Sequence, residues 1–259
     1  MAHVLITGSA DGLGLMAGRL LAGQGHAVTL HARDTARAAH TRAVLPAAEN
    51  VLVGDLGSLD GIRSVAAQAD AAGRFDAVIH NAGIGYREPR RVETVDGLSQ
   101  LFTVNVLAPY LLTALMTRPD RLVHLSSGMA RGGDADLSDP QWADRRWNGA
   151  QAYSDSKLFD ILLALGVARH WPDVLSNSVE PGWVATGMGG PGAPDDLDLG
   201  PVTQAWLAVS EDAAAHVTGR HFHHQEQRPV PAAARDTKAQ DALLDYCAEL
   251  TGTPLRASR

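Results

Sequence analysis

Cysteine is nearly absent from this chain of 259 residues: Cys247 is the only one, so no disulfide can form within the chain. The chain also lacks the run of about 18 uninterrupted apolar residues that a membrane-spanning helix needs. Its first residues have neither the basic segment nor the long apolar segment of a signal peptide. These absences favour a cytoplasmic protein without a membrane span, although secreted proteins can also lack cysteine.

Positive charge is scarce as well. The 22 Lys and Arg residues are outnumbered by 29 Asp and Glu residues, which gives a formal net charge of −7. Nucleic-acid binders usually present a basic surface, so this balance argues against nucleic acid as a partner and is compatible with a small-molecule substrate. Hydrophobic residues at 45% and charged residues at 20% are ordinary globular proportions and exclude a disordered chain.

Short apolar segments alternate with amphipathic ones along the chain. Six segments have the length and the Val, Leu or Ile content of buried strands: 4–7, 27–31, 51–53, 75–80, 121–126 and 174–179. Helical spacing of apolar residues predicts helices over 12–22, 59–71, 95–116 and 151–170. This order predicts an α/β fold. We expect one Rossmann-type domain over residues 1–259, with a doubly wound parallel sheet of about seven strands and helices on both faces.

Two segments interrupt this alternation, 128–149 and 187–200. Both follow predicted strands, and ligands of open α/β sheets bind at the carboxyl ends of the strands. We therefore expect both segments to border a ligand site. The alternative is that they are solvated loops without a role.

A glycine-rich turn, residues 7–14, joins the first predicted strand to the first predicted helix. Glycine lets the backbone approach a phosphate closely, and the start of a helix offers unpaired N–H groups and positive partial charge. The position between strand and helix favours a dinucleotide pyrophosphate site over a plain tight turn. The candidate cofactor-binding residues in this turn are Gly8, Ser9, Gly12, Leu13 and Gly14.

The end of the second predicted strand bears on the choice of cofactor. NAD-binding sites usually carry an acidic residue there for the ribose 2′-hydroxyl, whereas this chain has Ala32 and Arg33. A guanidinium suits a 2′-phosphate by charge and geometry, so Arg33 favours NADP(H), with NAD(H) as the alternative. A surface charge without a ligand is the other role open to Arg33.

Tyr153 and Lys157 stand at positions i and i+4 of a predicted helix, so their side chains lie on one face, one turn apart. A free phenol has a pKa of about 10 and transfers protons poorly at neutral pH, but a nearby ammonium favours the phenolate. The pair is therefore suited to acid–base catalysis. Because helices often carry this pair by chance, the interpretation depends on agreement with other segments.

Polar residues also follow the other predicted strands. Asn105 lies within an apolar predicted helix, where an unpaired amide would be costly. Since the carboxyl ends of parallel strands meet at one edge of a sheet, we expect these residues to converge there. They are Asp55 and Leu56 after the third strand, Asn81, Ala82 and Gly83 after the fourth, Ser126 and Ser127 at the end of the fifth, and 181–186 after the sixth.

In these motifs and their order, nearly the whole chain resembles the classical short-chain dehydrogenase/reductase family. The resemblance implies an NAD(P)(H)-dependent oxidoreductase acting on a small-molecule carbonyl or alcohol, with catalytic residues Asn105, Ser127, Tyr153 and Lys157. Tyr153 would transfer the proton, and Ser127, the second serine of its pair, would hold the substrate oxygen. Lys157 would bind the nicotinamide ribose and make Tyr153 more acidic, and Asn105 would hold a water in the proton relay.

The resemblance also implies further cofactor contacts. Asp11 stands where many NADP-binding relatives carry Arg or Lys, which opposes the NADP preference. Asp55 and Leu56 would contact the adenine. The remaining implied contacts are Asn81, Ala82 and Gly83 on the adenosine side, and Pro181, Gly182, Val184 and Thr186 towards the nicotinamide.

Within the family, the segments 55–59, 152–158 and 219–222 are similar to the retinol dehydrogenase-like and WW-domain oxidoreductase-like members. Those members often act on apolar carbonyls and alcohols, but the short, polar segment after Thr186 gives no reason to transfer retinoid specificity. The alternative function is a non-catalytic dinucleotide-binding regulator on the same fold. The intact set of four catalytic residues argues against that alternative.

Two other features have simpler interpretations. His221, His223 and His224 resemble metal ligands, but a surface cluster is the preferred interpretation, so no metal is expected. The family commonly dimerises through two long helices, which implies a homodimer or homotetramer. The candidate interface residues are Leu111, Leu112, Leu158 and Leu162, with burial inside one subunit as the alternative.

Overall fold

The centre of the computed structural model, which describes residues 1–256, is an eight-stranded sheet in the order β3-β2-β1-β4-β5-β6-β7-β8. Neighbours from β3 to β7 are parallel, and β8 is antiparallel to β7. Residues 257–259 of the predicted domain lie outside the described range. The strands are β1 (His3–Ile6), β2 (Ala27–Ala32), β3 (Asn50–Val53), β4 (Ala77–His80), β5 (Arg121–Leu125), β6 (Leu175–Glu180), β7 (His221–His223) and β8 (Glu226–Arg228).

Helices cover both faces of the sheet because successive strand residues point to opposite sides and are apolar on both. Val4 and Ile6 of β1 belong to one core, and Leu5 between them belongs to the other. This arrangement confirms the predicted doubly wound α/β fold. The helices are α1 (Gly12–Gly23), α2 (Thr35–Val44), α3 (Leu59–Ala72), α4 (Gln100–Phe102), α5 (Ala108–Leu115), α6 (Gly149–His170), α7 (Val202–Val209) and α8 (Thr237–Thr251).

Helices α1, α2 and α7 pack on the first face, and α3, α5, α6 and α8 pack on the second. Within residues 1–256, no helix combines the length and apolar character needed to cross a membrane.

The sheet has one strand more than the seven or so expected from the sequence. Strand β8 is exposed along its whole length and pairs only with β7. His224 and Gln225 form the turn between the two strands with positive φ angles of 49° and 64°. A short polar edge strand has no apolar pattern, so the sequence could not indicate it.

The helix predicted over 95–116 begins later than expected, at Gln100. Val95 is 90% exposed, and Gly97, with φ of 76°, bonds back to Thr94 in a turn. Residues Thr103–Leu107 then form a π-helical turn between α4 and α5. Such turns widen a helix locally and are common at functional sites. Asn105 lies at the centre of this one.

The four leucines proposed for a subunit interface are buried inside the chain itself. Leu111 and Leu112 of α5 and Leu158 and Leu162 of α6 are each 0% exposed. Helix α8 packs against α6 and also contacts α5. Burial within one subunit, the alternative, is therefore what the structure shows for these side chains. Homo-oligomerisation stays a prediction without an assigned surface.

Two histidines lie side by side inside the second core. His80 of β4 pairs in register with His124 of β5, and their ring centroids are 4.9 Å apart. His80 Nε2 shares a 3.0 Å hydrogen bond with the Thr113 hydroxyl. Burial lowers the pKa of His80 to about 3, and burial together with His80 and Lys157 lowers the pKa of His124 well below its usual value. Both rings are therefore neutral at physiological pH.

We predict that His80 makes the fold sensitive to mild acid. Below about pH 6.5 the unfolded chain binds a proton at this residue, whereas the folded chain does not until about pH 3. Stabilisation present above pH 6.5 is thus lost as the pH falls. The unfolding free energy of wild type should therefore fall between about pH 7.5 and about pH 5. In His80→Gln the fall should be about 2 kcal/mol smaller, because this proton is no longer taken up on unfolding.

Urea unfolding at both pH values measures this difference, because other titrating groups are common to the two proteins. His40→Gln, at an exposed position of α2, is the matched control and should keep the wild-type pH difference. An unchanged pH difference in His80→Gln would contradict the prediction.

Candidate active site

A cleft of about 660 Å³ opens along the carboxyl ends of the central strands. This is the edge where ligands bind in open α/β sheets. Most of the predicted cofactor residues line it together with both members of the predicted Tyr–Lys pair. They are Gly8, Gly12, Leu13, Arg33, Asp55, Leu56, Asn81, Ala82, Gly83, Tyr153, Lys157, Pro181 and Thr186.

The glycine-rich turn is held by the loop after β4. Asn81 donates two 3.0 Å hydrogen bonds from its amide, to the main-chain oxygens of Thr7 and Gly8. The Thr7 hydroxyl in turn accepts bonds from the N–H groups of Asn81 and Ala82 at 3.0 and 3.1 Å. At Gly8, where φ is +59°, a Cβ would lie 2.6 Å from the Cα of Ala82. Asn81 and Gly8 therefore fit the turn against the next strand.

His31 at the end of β2 holds the same turn from the other side, a role that the sequence did not indicate. The Gly8 N–H donates to His31 Nδ1 at 3.0 Å, so this nitrogen is an acceptor. The other ring nitrogen then donates to Gly54 O at 2.9 Å. Burial lowers the pKa of His31, outweighing its contacts with Gly54 and Asp55, which keeps the ring in this neutral form.

Two predicted residues of the turn lie behind the cleft wall. Ser9 is fully buried, and its hydroxyl donates to Ile6 O and accepts from the His31 N–H. A Cβ on Gly14 would lie 2.5 Å from the amide nitrogen of Asn81, so Gly14 is needed for close packing. Both residues shape the turn rather than line the cleft.

The start of α1 fits a dinucleotide pyrophosphate. Asp11 precedes the helix in an extended conformation, and its side chain does not cap the first N–H groups. At Gly12, with φ of +53°, a Cβ would meet nothing within 4 Å, so the backbone borders open space. Unpaired N–H groups beside open space at a helix start are suited to phosphate oxygens.

Two arginines stand at the end of the cleft where the sequence predicts the adenosine of the cofactor. Arg33 lines the wall with its side chain 63% exposed, and its nearest carboxylate, Asp34, is 3.9 Å away. Arg37 of α2 also lines the cleft and pairs with Asp11. The Arg37 guanidinium thus offsets the negative charge that opposes phosphate binding. Arg37 lies five residues beyond the end of β2, in the first turn of α2, and this position is the signal by which the sequence could have indicated it.

Tyr153 and Lys157 project from α6 into the opposite end of the cleft. Lys157 Nζ lies 5.7 Å from the centroid of the Tyr153 ring. It donates to Leu125 O at the end of β5 and to Asp160, each at 2.8 Å. The Tyr153 hydroxyl makes a 3.8 Å contact with the sulfur of Met188. Tyr153 is therefore directed at the space beneath segment 187–190.

Asn105 lies behind Lys157, in the π-helical turn. Its amide oxygen accepts from the Ile84 N–H at 2.7 Å, and its amide nitrogen donates to Ile84 O and to the Ser156 hydroxyl. A Cβ on Gly83 would be 3.6 Å from both Asn105 Oδ1 and Lys157 Nζ. Asn105 thus ties the loop after β4 to α6 beside the Tyr–Lys pair.

The two serines after β5 have different positions. The cleft wall includes Ser126, but this side chain is buried and its hydroxyl donates to the main-chain oxygen of Lys157 at 2.7 Å. Ser127 is not among the residues that line the cleft; it is partly exposed, and its hydroxyl oxygen accepts from the Met129 N–H at 3.2 Å. An accepting hydroxyl keeps its hydrogen for donation, which suits Ser127 better for a substrate oxygen.

Segment 181–190 closes the end of the cleft where the sequence predicts the nicotinamide. Pro181, Thr186 and Met188 line the wall, and a Cβ on Gly85 would lie 2.8 Å from the Met188 side chain. Two other predicted residues lie behind this wall. Gly182, with φ of +90°, packs against Asp195. Val184 is buried and forms an isolated β-bridge with Asp195.

Segment 128–149 reaches the site through an aromatic cluster. Tyr86 lies 5.8 Å from Tyr153, edge to face, and Trp142 packs in the same apolar cluster with Trp147. Buried Asp155 fastens the segment to α6 by accepting from Trp142 Nε1 and Arg145, both at 3.2 Å, among other bonds. Both interrupting segments therefore border the predicted reaction centre.

The histidines of β7 do not form a metal site in the structure. His221 shares a 2.9 Å hydrogen bond with the Ser178 hydroxyl, and His223 contacts Glu180 O at 3.1 Å. Over residues 1–256, no group of three or more His, Cys, Asp or Glu side chains is placed to hold a metal ion.

A doubly wound sheet with a glycine-rich turn, a helix start and a Tyr–Lys pair on one cleft defines a dinucleotide-dependent oxidoreductase. Comparison with known proteins gives the family. The family model described as short chain dehydrogenase matches residues 2–196. The chain belongs to the short-chain dehydrogenase family.

Individual relatives align with nearly all of the chain. It is 39% identical over 262 residues to the short-chain dehydrogenase chyC of Penicillium rubens, covering 99% of this chain and 100% of the relative. It is 30% identical over 281 residues to human retinol dehydrogenase 13, covering 96% and 84%, which places it with the retinol dehydrogenase-like branch. A crystal structure from Mycobacterium paratuberculosis aligns with a TM-score of 0.85 at 27% identity, covering 99% of this chain and 95% of the other.

We predict that Gly8 and Gly12 tolerate alanine unequally. Both have positive φ, so each alanine variant should lose roughly 1–2 kcal/mol of stability to backbone strain. Gly8→Ala also forces a Cβ against the backbone of Ala82, whereas Gly12→Ala points into open space. Gly8→Ala should therefore be less stable than Gly12→Ala by about 1–3 kcal/mol in denaturant unfolding.

Gly12→Ala is the matched control, since it shares the strained backbone without the steric contact. Equal unfolding free energies for the two variants would show that the fit of Gly8 against Ala82 is not required.

Proposed function

We propose that this protein is an NADP(H)-preferring oxidoreductase that transfers hydride between nicotinamide and a small-molecule carbonyl or alcohol, with Tyr153 as the acid–base residue. The observation that carries the proposal is the placement of Tyr153 and Lys157 on one cleft with the glycine-rich turn and the start of α1. When bound, the cofactor supplies the hydride; the protein supplies position and the proton.

Each polar group around Tyr153 then has a role. The Tyr153 hydroxyl donates its proton to the carbonyl oxygen in reduction and takes it back in oxidation. The substrate oxygen replaces the sulfur of Met188, which contacts this hydroxyl at 3.8 Å. Ser127 donates a hydrogen bond to the same oxygen. Lys157 Nζ binds the ribose. Asn105 holds the loop after β4 beside Lys157 through its hydrogen bonds to Ile84 and Ser156.

The surroundings of Tyr153 support an apolar substrate. Tyr86, Trp142 and Trp147 form an aromatic cluster with Tyr153, and Met188 lies opposite. Aromatic and thioether side chains bind apolar groups, and the single hydroxyl directs the polar carbonyl. We propose ketones or aldehydes on an apolar body as the substrate class.

Phenylalanine at position 153 tests the reaction. Tyr153→Phe removes the transferable proton while it keeps the ring, so turnover should fall by about 10²- to 10⁴-fold. NADPH oxidation, followed by absorbance against a panel of ketones, aldehydes and quinones, measures the loss.

Tyr110→Phe is the matched control and should retain turnover, because the Tyr110 hydroxyl donates to Thr253 O away from the cleft. Equal turnover by wild type and Tyr153→Phe would exclude the mechanism. Tight cofactor binding without turnover of any substrate would favour the non-catalytic regulator instead.

The preference for NADP(H) is supported by the two arginines at the adenosine end. Arg33 has its nearest carboxylate at 3.9 Å, and Arg37 pairs with Asp11 across the same end of the cleft. A 2′-phosphate near Arg33 would compete with Asp11 for the Arg37 guanidinium. We propose that the two arginines together bind this phosphate.

Replacing either arginine should therefore weaken NADPH binding more than NADH binding. A charged hydrogen bond contributes about 1.5–3 kcal/mol, so Arg33→Ala and Arg37→Ala should each lower the NADPH-to-NADH preference by roughly 10-fold or more. Titration of the purified protein with each cofactor measures the ratio.

Arg19→Ala, an exposed position on α1 that does not line the cleft, is the matched control. An unchanged preference in both cleft variants would remove the arginines from this role. A loss confined to one variant would assign the phosphate to that residue.

A further inference from the structure

An ion pair lies behind Tyr153 that the proposed reaction does not require. Lys157 Nζ and Asp160 Oδ2 are 2.8 Å apart, and their side chains are 6% and 3% exposed. Both residues belong to α6, three positions apart, so they share a face of the helix. A buried ammonium is stable only when it is paired and hydrogen-bonded, and Asp160 supplies the counter-charge.

Asp160 and the end of β5 together determine where the ammonium points. Lys157 has three N–H donors, of which one binds Leu125 O and a second binds Asp160. A Cβ on Gly83, which lines the cleft, would lie 3.6 Å from Nζ. The third donor is thereby left for a ligand in the cleft.

The ion pair also changes the charge that Tyr153 experiences. Nζ lies 5.7 Å from the centroid of the Tyr153 ring, close enough for an isolated ammonium to favour the phenolate strongly. The Asp160 carboxylate directly beside Nζ offsets much of that positive charge. The phenol consequently faces a nearly neutral pair instead of a cation.

The other titratable groups around the pair do not restore the positive charge. His124 of β5 is electrostatically coupled to Lys157, and His80 of β4 lies beside His124. Burial lowers the pKa of both histidines, so they are neutral where the enzyme would work. Asp155 of α6 is buried and bound to Trp142 and Arg145, and the Tyr86 ring lies 5.8 Å from Tyr153, so neither adds positive charge beside the phenol.

We propose that Asp160 is a positioning residue of this reaction centre. It anchors the Lys157 ammonium with one donor facing the cleft, and its carboxylate offsets the positive charge that the Tyr153 phenol faces, which favours carbonyl reduction over alcohol oxidation near neutrality. The consequence for direction rests on the proposed function, whereas the effect on the two side chains does not.

The charges of the pair support this role. Burial alone would lower the pKa of Lys157, but Asp160 and Tyr153 together outweigh burial and the pKa is raised. Burial raises the pKa of Asp160 to about 6, although Lys157 opposes the rise. Asp160 therefore carries its charge above about pH 6, and its influence on Tyr153 should fade below that pH.

A spectroscopic titration tests the proposal without substrate or cofactor. Tyrosinate absorbance is recorded against pH for wild type and Asp160→Asn, and the matching Tyr153→Phe protein is subtracted from each. The chain has four tyrosines, and burial raises the pKa of Tyr110 and Tyr246, which reduces overlap. The signal of Tyr153 should appear about one pH unit lower in Asp160→Asn, as expected for loss of a unit charge within about 10 Å.

Two control variants separate charge from structure. Asp160→Glu keeps the negative charge and should titrate like wild type. Asp241→Asn removes a carboxylate from the surface pair with Arg169 and should also leave the Tyr153 signal unchanged. If Asp160→Asn does not fold, Asp160→Ser provides a second neutral variant. Identical titrations for wild type and a folded neutral variant overturn the proposal, as does an equal shift in Asp241→Asn.

Kinetics give a second readout. The pH profile of alcohol oxidation should move to lower pH in Asp160→Asn by the same amount, and the variant and wild type should converge below about pH 6. An unshifted profile in an active variant overturns the effect on direction. If wild type turns over no substrate, the proposed function fails while the spectroscopic titration still decides the role of Asp160.

Discussion

The reciprocal bonding between α6 and the end of β5 is the interaction on which the site depends. The Ser126 hydroxyl donates to Lys157 O, and Lys157 Nζ donates to Leu125 O, at 2.7 and 2.8 Å. The strand and the helix are thus joined at the residue that also faces the cleft. Because α6 carries Tyr153 one turn earlier, the same contact sets the position of the phenol relative to the sheet edge. The buried Lys157–Asp160 pair depends on this junction as well.

The opposite end of the cleft is built on a different network. Thr7, Gly8, His31 and Asn81 exchange hydrogen bonds between the ends of three neighbouring strands. The network requires a neutral ring at His31, because Nδ1 must accept the hydrogen bond from the Gly8 N–H. Such a network holds the glycine-rich turn in one shape before any ligand arrives, which lowers the entropy lost on binding. Although the chain has a net charge of −7, the cleft itself carries Arg33, Arg37 and the start of α1, which are the positive groups that suit an anionic cofactor.

The sequence predicted the architecture well because buried parallel strands and amphipathic helices have strong apolar patterns. It also indicated most residues of the cleft wall, because polar residues after parallel strands must lie along one edge. It did not indicate β8, which is short and polar, or the turn at Gly97 that delays the helix after it. It assigned Ser9, Gly14, Gly182 and Val184 to the cofactor, whereas the structure places them behind the wall. Motif position alone cannot distinguish a residue that contacts a ligand from one that supports its neighbour.

By itself the sequence determined the fold class, the order of the motifs and the family resemblance, since these follow from periodicity and from residue types along the chain. Tertiary structure alone decided which charges meet. Arg37 offsets Asp11, Lys157 Nζ binds Leu125 O of β5, and α8 covers the leucines of α5 and α6. The physical reason is that electrostatic and packing interactions depend on distances across elements remote in sequence. Such distances are set only when the sheet and its helices have packed together.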